Sequence, residues 1–128
     1  MSTLTEPLDN VDHSPPAPIL RLPVRAVAGG PATVSRFFLD TGADFTCLPS
    51  SVAAALIPND RGTDRRFRAG DGTPGVLPTV RAEIELLGHG YGAFFAVTFS
   101  ETGLLGRDVL RHFVVTVDGP AGTLTVAD

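Results

Sequence analysis

From Ile19 onward the chain alternates apolar and polar positions in short runs punctuated by glycine and proline. Ile19, Leu20, Leu22, Val24 and Val27 lead into Ala28-Gly29-Gly30-Pro31, and Ala32 to Leu39 returns from it, which predicts a hairpin. Thr46 to Leu48 reads as a short strand. Pro49-Ser50-Ser51 ahead of Val52-Ala53-Ala54-Ala55-Leu56 predicts a serine-capped helix, stopped by Pro58 and the polar segment Asn59 to Asp64. Arg65 to Gly75 is polar at its rims and glycine-rich at its centre, the pattern of an exposed hairpin whose tip is Gly70 to Thr73. Val76 to Leu87 predicts a long strand with Val80, Ala82, Ile84 and Leu86 on one side and Arg81, Glu83 and Glu85 on the other. Gly88-His89-Gly90 is its turn, and Tyr91 to Phe99 returns as a strand rich in β-favouring aromatics. Asp108 to Phe113 has room for one or two helical turns, and Phe113 to Val117 and Thr123 to Val126 are strands around Asp118 to Gly122. Residues 1–18 show no period and carry four prolines, so a disordered tail or extended arm is expected there, with residues 19–128 as one domain. The expected fold class is all-β, with one or two short helices.

Composition sharpens this picture. A chain of 128 residues with 43% apolar residues buries one core, and its 14 glycines and 11 prolines demand many turns between short elements. Net charge is -4, and the ten basic residues are all arginine and scattered, apart from Arg65, Arg66 and Arg68, so no nucleic-acid surface is expected. No apolar run reaches the roughly 18 to 20 residues of a membrane span, and the first residues show neither the basic start nor the apolar stretch expected of a signal peptide. A cytoplasmic setting without a membrane partner follows as the expectation. The single Cys47 agrees with a reducing compartment, and its apolar neighbours suit a buried structural thiol.

The chemistry gathers at Asp40. Phe37-Phe38-Leu39 runs straight into Asp40-Thr41-Gly42-Ala43-Asp44, which places a carboxylate where a buried strand ends and a glycine where the backbone turns. Taken alone, this also describes an Asx turn closing a strand. His13, His89 and His112 lack a Ser or Cys partner at a recognisable spacing, which leaves no Ser-His or Cys-His hydrolase. Asp40, Asp44, Asp71 and Asp108 are the acids from which a Mg²⁺ site would have to be built, but no spacing suggests one, and no phosphate-binding glycine motif is present. No metal and no cofactor are expected.

The apolar strand into Asp-Thr-Gly-Ala-Asp, the glycine-tipped hairpin, and Leu104-Leu105-Gly106-Arg107-Asp108-Val109-Leu110 later in the chain together resemble the retroviral-type aspartic proteases, the retropepsins. The resemblance runs from about Ile19 to Val126 and implies a single-lobed acid-protease fold with a flap hairpin. It implies that Asp40 is catalytic, and that Thr41, Gly42, Leu105, Gly106 and Arg107 support the active-site loop, with Thr41 bonding across a dimer axis and Arg107 pairing with Asp44. It further implies that Gly42, Ala43 and Asp44 meet the substrate backbone, that Gly70, Asp71, Gly72 and Thr73 form the flap tip, and that Thr102 and Leu104 face side pockets. Asp71-Gly72 also suits plain turn chemistry, and Thr102 and Leu104 also suit loop and core.

Aspartic proteases need two carboxylates and this chain has one Asp-Thr-Gly, so the resemblance implies a homodimer with Asp40 from each copy on a two-fold axis, acting on a peptide or protein substrate. Two carboxylates about 3 Å apart at an effective dielectric near 20 repel by roughly 5 to 6 kcal/mol, so the pair shares a proton. The aspartic-protease dyad is the standing example of that sharing. The longer segment after the first helix and the all-arginine composition fit a cellular, bacterial relative rather than a viral one. The alternative is a retropepsin-like dimerisation or peptide-binding module without turnover; a third reading is a structural β-domain in which Asp40 is only a turn residue.

Overall fold

A computed structural model describes residues 1–128. In chain order its elements are β1 (Thr3–Pro7), β2 (Ile19–Arg25), β3 (Thr33–Leu39), β4 (Cys47–Pro49), α1 (Ser50–Ala54), β5 (Arg65–Arg68), β6 (Pro74–Leu77), β7 (Thr79–Leu86), β8 (His89–Thr98), β9 (Gly103–Leu105), α2 (Arg107–Leu110), β10 (Val114–Asp118) and β11 (Thr123–Ala127). The all-β expectation holds.

Period-two alternation builds a closed barrel in the order β2-β3-β9-β4-β8-β7. Leu20, Leu22 and Val24 of β2, Phe37 and Leu39 of β3, and Val80, Ala82, Ile84 and Leu86 of β7 all point into it and are buried, while Arg21, Arg81 and Glu83 alternate outward. Each large apolar side chain so buried contributes roughly 1.5–3 kcal/mol relative to exposure. The barrel closes where β7 meets β2, at Val24↔Ile84 and Arg25↔Glu83. β3 and β9 run parallel, with Phe37↔Gly103 and Leu39↔Leu105 in register, which brings two widely separated apolar segments to the same end of the barrel.

Several boundaries differ from expectation for identifiable reasons. Pro78 divides the expected strand Val76 to Leu87: β6 leaves to pair with β5 in a separate hairpin, while β7 stays in the barrel. The β7–β8 turn lies at Leu87 and Gly88, both at positive φ (52° and 78°), not at Gly88 to Gly90. Two consecutive positive φ values suit the tight turns whose twist matches a hairpin. Ser50 and Ser51 lie inside α1, whose N-cap is Pro49 without a side-chain cap bond. The strand runs directly into the helix there, and burial of Val52 and Ala53 holds it in place of a cap.

The largest departure is at the N-terminus. Residues 3–7, expected within a disordered tail or extended arm, form β1, paired antiparallel with β11 from Thr3↔Ala127 to Pro7↔Thr123. β10 pairs with the other edge of β11. Leu8 is buried in the barrel core and Asp9 bridges to Ala17. Order here comes from a partner strand at the far end of the chain, which no local period reveals. No helix is long and apolar enough to cross a membrane.

Candidate active site

β3 delivers Asp40 to the end of the barrel, where its N–H donates to the Leu105 carbonyl (3.0 Å). The loop then folds back on itself. Asp40 Oδ1 accepts the Gly42 N–H (2.9 Å), and the Asp40 carbonyl accepts the Ala43 N–H (3.2 Å). The Asx turn foreseen for Asp40 is thus present, and it coexists with a half-buried carboxylate facing a cleft.

The segment from Leu105 to Asp108 braces this loop from below. The Arg107 N–H donates to the Ala43 carbonyl (3.0 Å), its guanidinium donates to the Thr41 carbonyl (2.8 Å), and a second guanidinium nitrogen pairs with the Asp44 carboxylate. Thr46, fully buried, donates its hydroxyl to Asp108 Oδ1 (2.7 Å) and its N–H to Asp108 Oδ2 (3.0 Å), and accepts the Gly106 N–H (3.0 Å). Gly106 is required by close approach: a Cβ there would sit 2.6 Å from the Phe45 carbonyl carbon and 2.7 Å from its oxygen.

The cleft above has a volume of about 620 Å³, within the roughly 300–1,000 Å³ usual for ligand sites. Asp40, Gly42, Ala43, Asp44, Gly70 and Leu104 all line it. Thr41, Leu105, Gly106 and Arg107 lie in or beneath the loop and do not line it. Asp71, Gly72, Thr73 and Thr102 lie outside the cleft lining. At the hairpin tip the Thr73 hydroxyl and N–H hold Asp71 below the usual carboxylate range, which is the turn chemistry open to Asp71-Gly72 from the start. The Thr102 N–H is engaged by the Ser100 hydroxyl (3.3 Å).

The four acids weighed for a metal have separate partners: Asp40 accepts the Gly42 N–H, Asp44 pairs with Arg107, Asp71 accepts the Thr73 N–H, and Asp108 accepts from Thr46. Cys47 is buried beside the cleft, and burial, with the Asp108 charge adding, pushes its thiol up to about 11. A second hollow of about 600 Å³ lies beneath the N-terminal arm, lined among others by Leu4, Glu6, Leu8, Asp9 and Arg21. Asp9 there is engaged by His13 (2.8 Å).

Sequence reasoning missed Thr46 and Asp108 as supports, and Phe45, Arg65 and Phe67 as cleft walls. Asp108 stands inside the Leu-Leu-Gly-Arg-Asp segment, so its position was visible though its partner was not. Phe45 meets Phe67 edge-on (centroids 6.3 Å apart) only because the β5–β6 hairpin folds over the loop.

A closed barrel, a projecting hairpin and an Asp-Thr-Gly loop braced from a parallel strand define a retropepsin-like acid-protease fold. The chain belongs to the aspartyl protease family, whose model matches residues 24–109. Among solved structures it is similar to a retropepsin-like aspartic protease from Rickettsia conorii, at 16% identity over 98% of each chain and a TM-score of 0.61. It is also similar to the EIAV protease complexed with the inhibitor HBY-793, at 22% identity over 81% of this chain and 91% of that one, with a TM-score of 0.57. At such identities the likeness speaks for the fold alone. No curated protein matches the chain.

Proposed function

We propose that the protein is a homodimeric aspartic endopeptidase in which Asp40 from each of two copies activates one water against a peptide bond. The observation that carries the reading is Asp40 itself: an Asp-Thr-Gly acid, half-buried at the floor of a cleft and fixed through its backbone to Leu105. One chain supplies one such acid, so the reaction needs a second copy facing it. One Asp40 carboxylate takes a proton from the water as it attacks the peptide carbonyl carbon, while the other, protonated, donates to the carbonyl oxygen. The tetrahedral species collapses with cleavage of the C–N bond and proton transfer to the leaving nitrogen. No covalent enzyme intermediate forms.

In this reading Thr41 contacts its counterpart across the axis, Gly42, Ala43 and Asp44 meet the substrate, and Gly70 to Thr73 close over an extended peptide as the flap. Leu104 is the pocket residue supported by its place in the cleft wall, and Thr102, outside that lining, has no such support. A bacterial cytoplasmic setting belongs to the same reading, supported by the all-arginine basic set and the lone buried thiol.

The test compares cleavage of a mixed peptide library by the wild type and Asp40→Asn, with sedimentation at micromolar concentration alongside. Cleavage that vanishes in the variant, from a protein that forms dimers, is expected. Equal cleavage by both proteins would sink the dyad mechanism, and a strict monomer that still cleaves would sink the two-copy site.

A further inference from the structure

The cleft has one wall that the proposed chemistry leaves unused. β5 reads Arg65-Arg66-Phe67-Arg68, three guanidinium groups in four residues on a chain of net charge -4, and all three border the cleft that holds Asp40. None of them belongs to the chain's ion pairs, whose cationic partners are Arg25, Arg36, Arg107, His13 and His89. Their surroundings differ. Arg68 donates to the Gly72 carbonyl (3.1 Å) and so holds the hairpin tip. Arg66 and Arg68 also border a hollow on the outer side of the hairpin, formed with Pro74 and Val76.

Arg65 is the one prepared for a ligand. Its guanidinium carbon lies 4.1 Å from the centroid of the Phe45 ring, and Phe45 is itself held edge-on by Phe67. Stacking on an aromatic face fixes the guanidinium plane and leaves its N–H edge free to meet a carboxylate side-on with two parallel bonds. The acids that share the cleft do not neutralise it: Asp44 is committed to Arg107, and Asp40 sits at the floor with Oδ1 on the Gly42 N–H.

We propose that Arg65 is a specificity-determining residue that selects peptides bearing an Asp or Glu side chain, whose carboxylate seats against the Arg65 guanidinium with Arg66 adding to the local positive field. This rests on the peptidase reading above and assigns it a substrate class. Lysine at position 65 would carry the charge without the planar fork, and glutamine would carry neither.

A position-scanned peptide series with Glu, Gln or Lys at each site reads the idea directly. For the wild-type full chain, kcat/KM for Glu over Gln at the responsive position is expected to be roughly three- to tenfold, because the pair is charge-assisted but partly exposed. That ratio should fall as salt is raised. It should collapse toward one in Arg65→Gln and survive in part in Arg65→Lys, while Arg65→Glu should cleave the Lys peptide faster than the Gln peptide. A ratio of one at every position in the wild type, or one that persists in Arg65→Gln, overturns the proposal. If the wild type cleaves nothing, the peptidase reading fails separately. Fluorescence anisotropy of the same labelled peptides on Asp40→Asn then decides the selectivity: tighter binding of the Glu peptide that is lost on adding Arg65→Gln supports it, and equal or absent binding overturns it.

Discussion

The Asp108 carboxylate accepts both the hydroxyl (2.7 Å) and the backbone N–H (3.0 Å) of Thr46, joining the first turn of α2 to the loop that carries Asp40. Because the Thr46 oxygen also receives the Gly106 N–H, one buried side chain ties three segments together. Asp108 Oδ1 further accepts the Val109 N–H (2.9 Å), a donor it shares with the Gly106 carbonyl (3.2 Å) at the helix start.

Removing the hydroxyl should therefore cost more than its size suggests. Thr46→Val keeps the shape but leaves the buried Gly106 N–H without its acceptor and Asp108 short of a donor. A loss of about 1–3 kcal/mol in unfolding free energy is expected. Chemical denaturation of Thr46→Val, Asp108→Ala and the double variant checks it: the double variant should lose clearly less than the sum of the singles. Additive losses would mean that the two residues do not act as a unit.

Gly106 and Gly70 make a matched contrast. A Cβ at Gly106 meets backbone atoms of Phe45 at 2.6 and 2.7 Å and the Ala43 carbonyl oxygen at 3.1 Å, none of which can rotate away. At Gly70 it meets nothing within 4 Å. Gly106→Ala is expected to destabilise by about 1–3 kcal/mol or more, through forced backbone shifts. Gly70→Ala should leave the melting temperature nearly unchanged. Thermal unfolding of the two variants side by side gives the answer, and equal melting temperatures would show that the loop has slack that the packing does not suggest.

Asp44 and Arg107 form the ion pair that the family resemblance implied, yet both side chains are well exposed, at 76% and 52%. Solvent and salt screen such a pair, so Asp44→Asn should change stability by less than about 1 kcal/mol. Arg107→Ala should cost more, since it also deletes the bond to the Thr41 carbonyl (2.8 Å). Unfolding measured at low and high salt separates the contributions: the Asp44 effect should shrink with salt, and the excess for Arg107 should persist.

How much was legible follows from where each feature's cause lies. Val80, Ala82, Ile84 and Leu86 announced their strand because burial of one face imposes a period of two on nearby residues. Asp40-Thr41-Gly42 and Leu105-Gly106 were legible only through the family resemblance the two segments carry together, since Asp40-Thr41-Gly42 alone fits an Asx turn equally well. The Arg65 wall was not, since Arg65 gains meaning only by stacking on Phe45, twenty positions earlier. Asp108 hid for a related reason: an acid in a helix's first turn is ordinary until Thr46 is seen bonded to it. β1 left almost no trace, because Leu4 is its only residue that is not fully exposed, and a strand held mainly by backbone pairing has little side-chain pattern to show.

Carboxylates flank that same strand: Asp128 holds the Ser2 N–H before it, and Asp9 ties the chain just after it to His13 and Arg36, which makes the strand's attachment sensitive to acid. Beyond its C-terminal end, Asp9 is held below the usual carboxylate range by the His13 hydrogen bond first; partial burial opposes this, and the Asp12 N–H and Arg36 assist. At its N-terminal end, Asp128 is lowered first by the Ser2 N–H and then by His89. A carboxylate whose value is depressed on folding stabilises the folded form fully above its unfolded value and loses that contribution as pH falls through the folded one. The attachment of β1 to β11 should therefore be constant near neutrality and weaken below about pH 4. Amide hydrogen exchange across a pH series, corrected for intrinsic rates, should show protection of β1 falling before that of β2, β3 and β7. Asp9→Asn with Asp128→Asn should lower β1 protection at neutral pH and flatten its acid dependence. Protection of β1 that tracks the barrel down to the lowest pH would show that backbone pairing alone secures the strand.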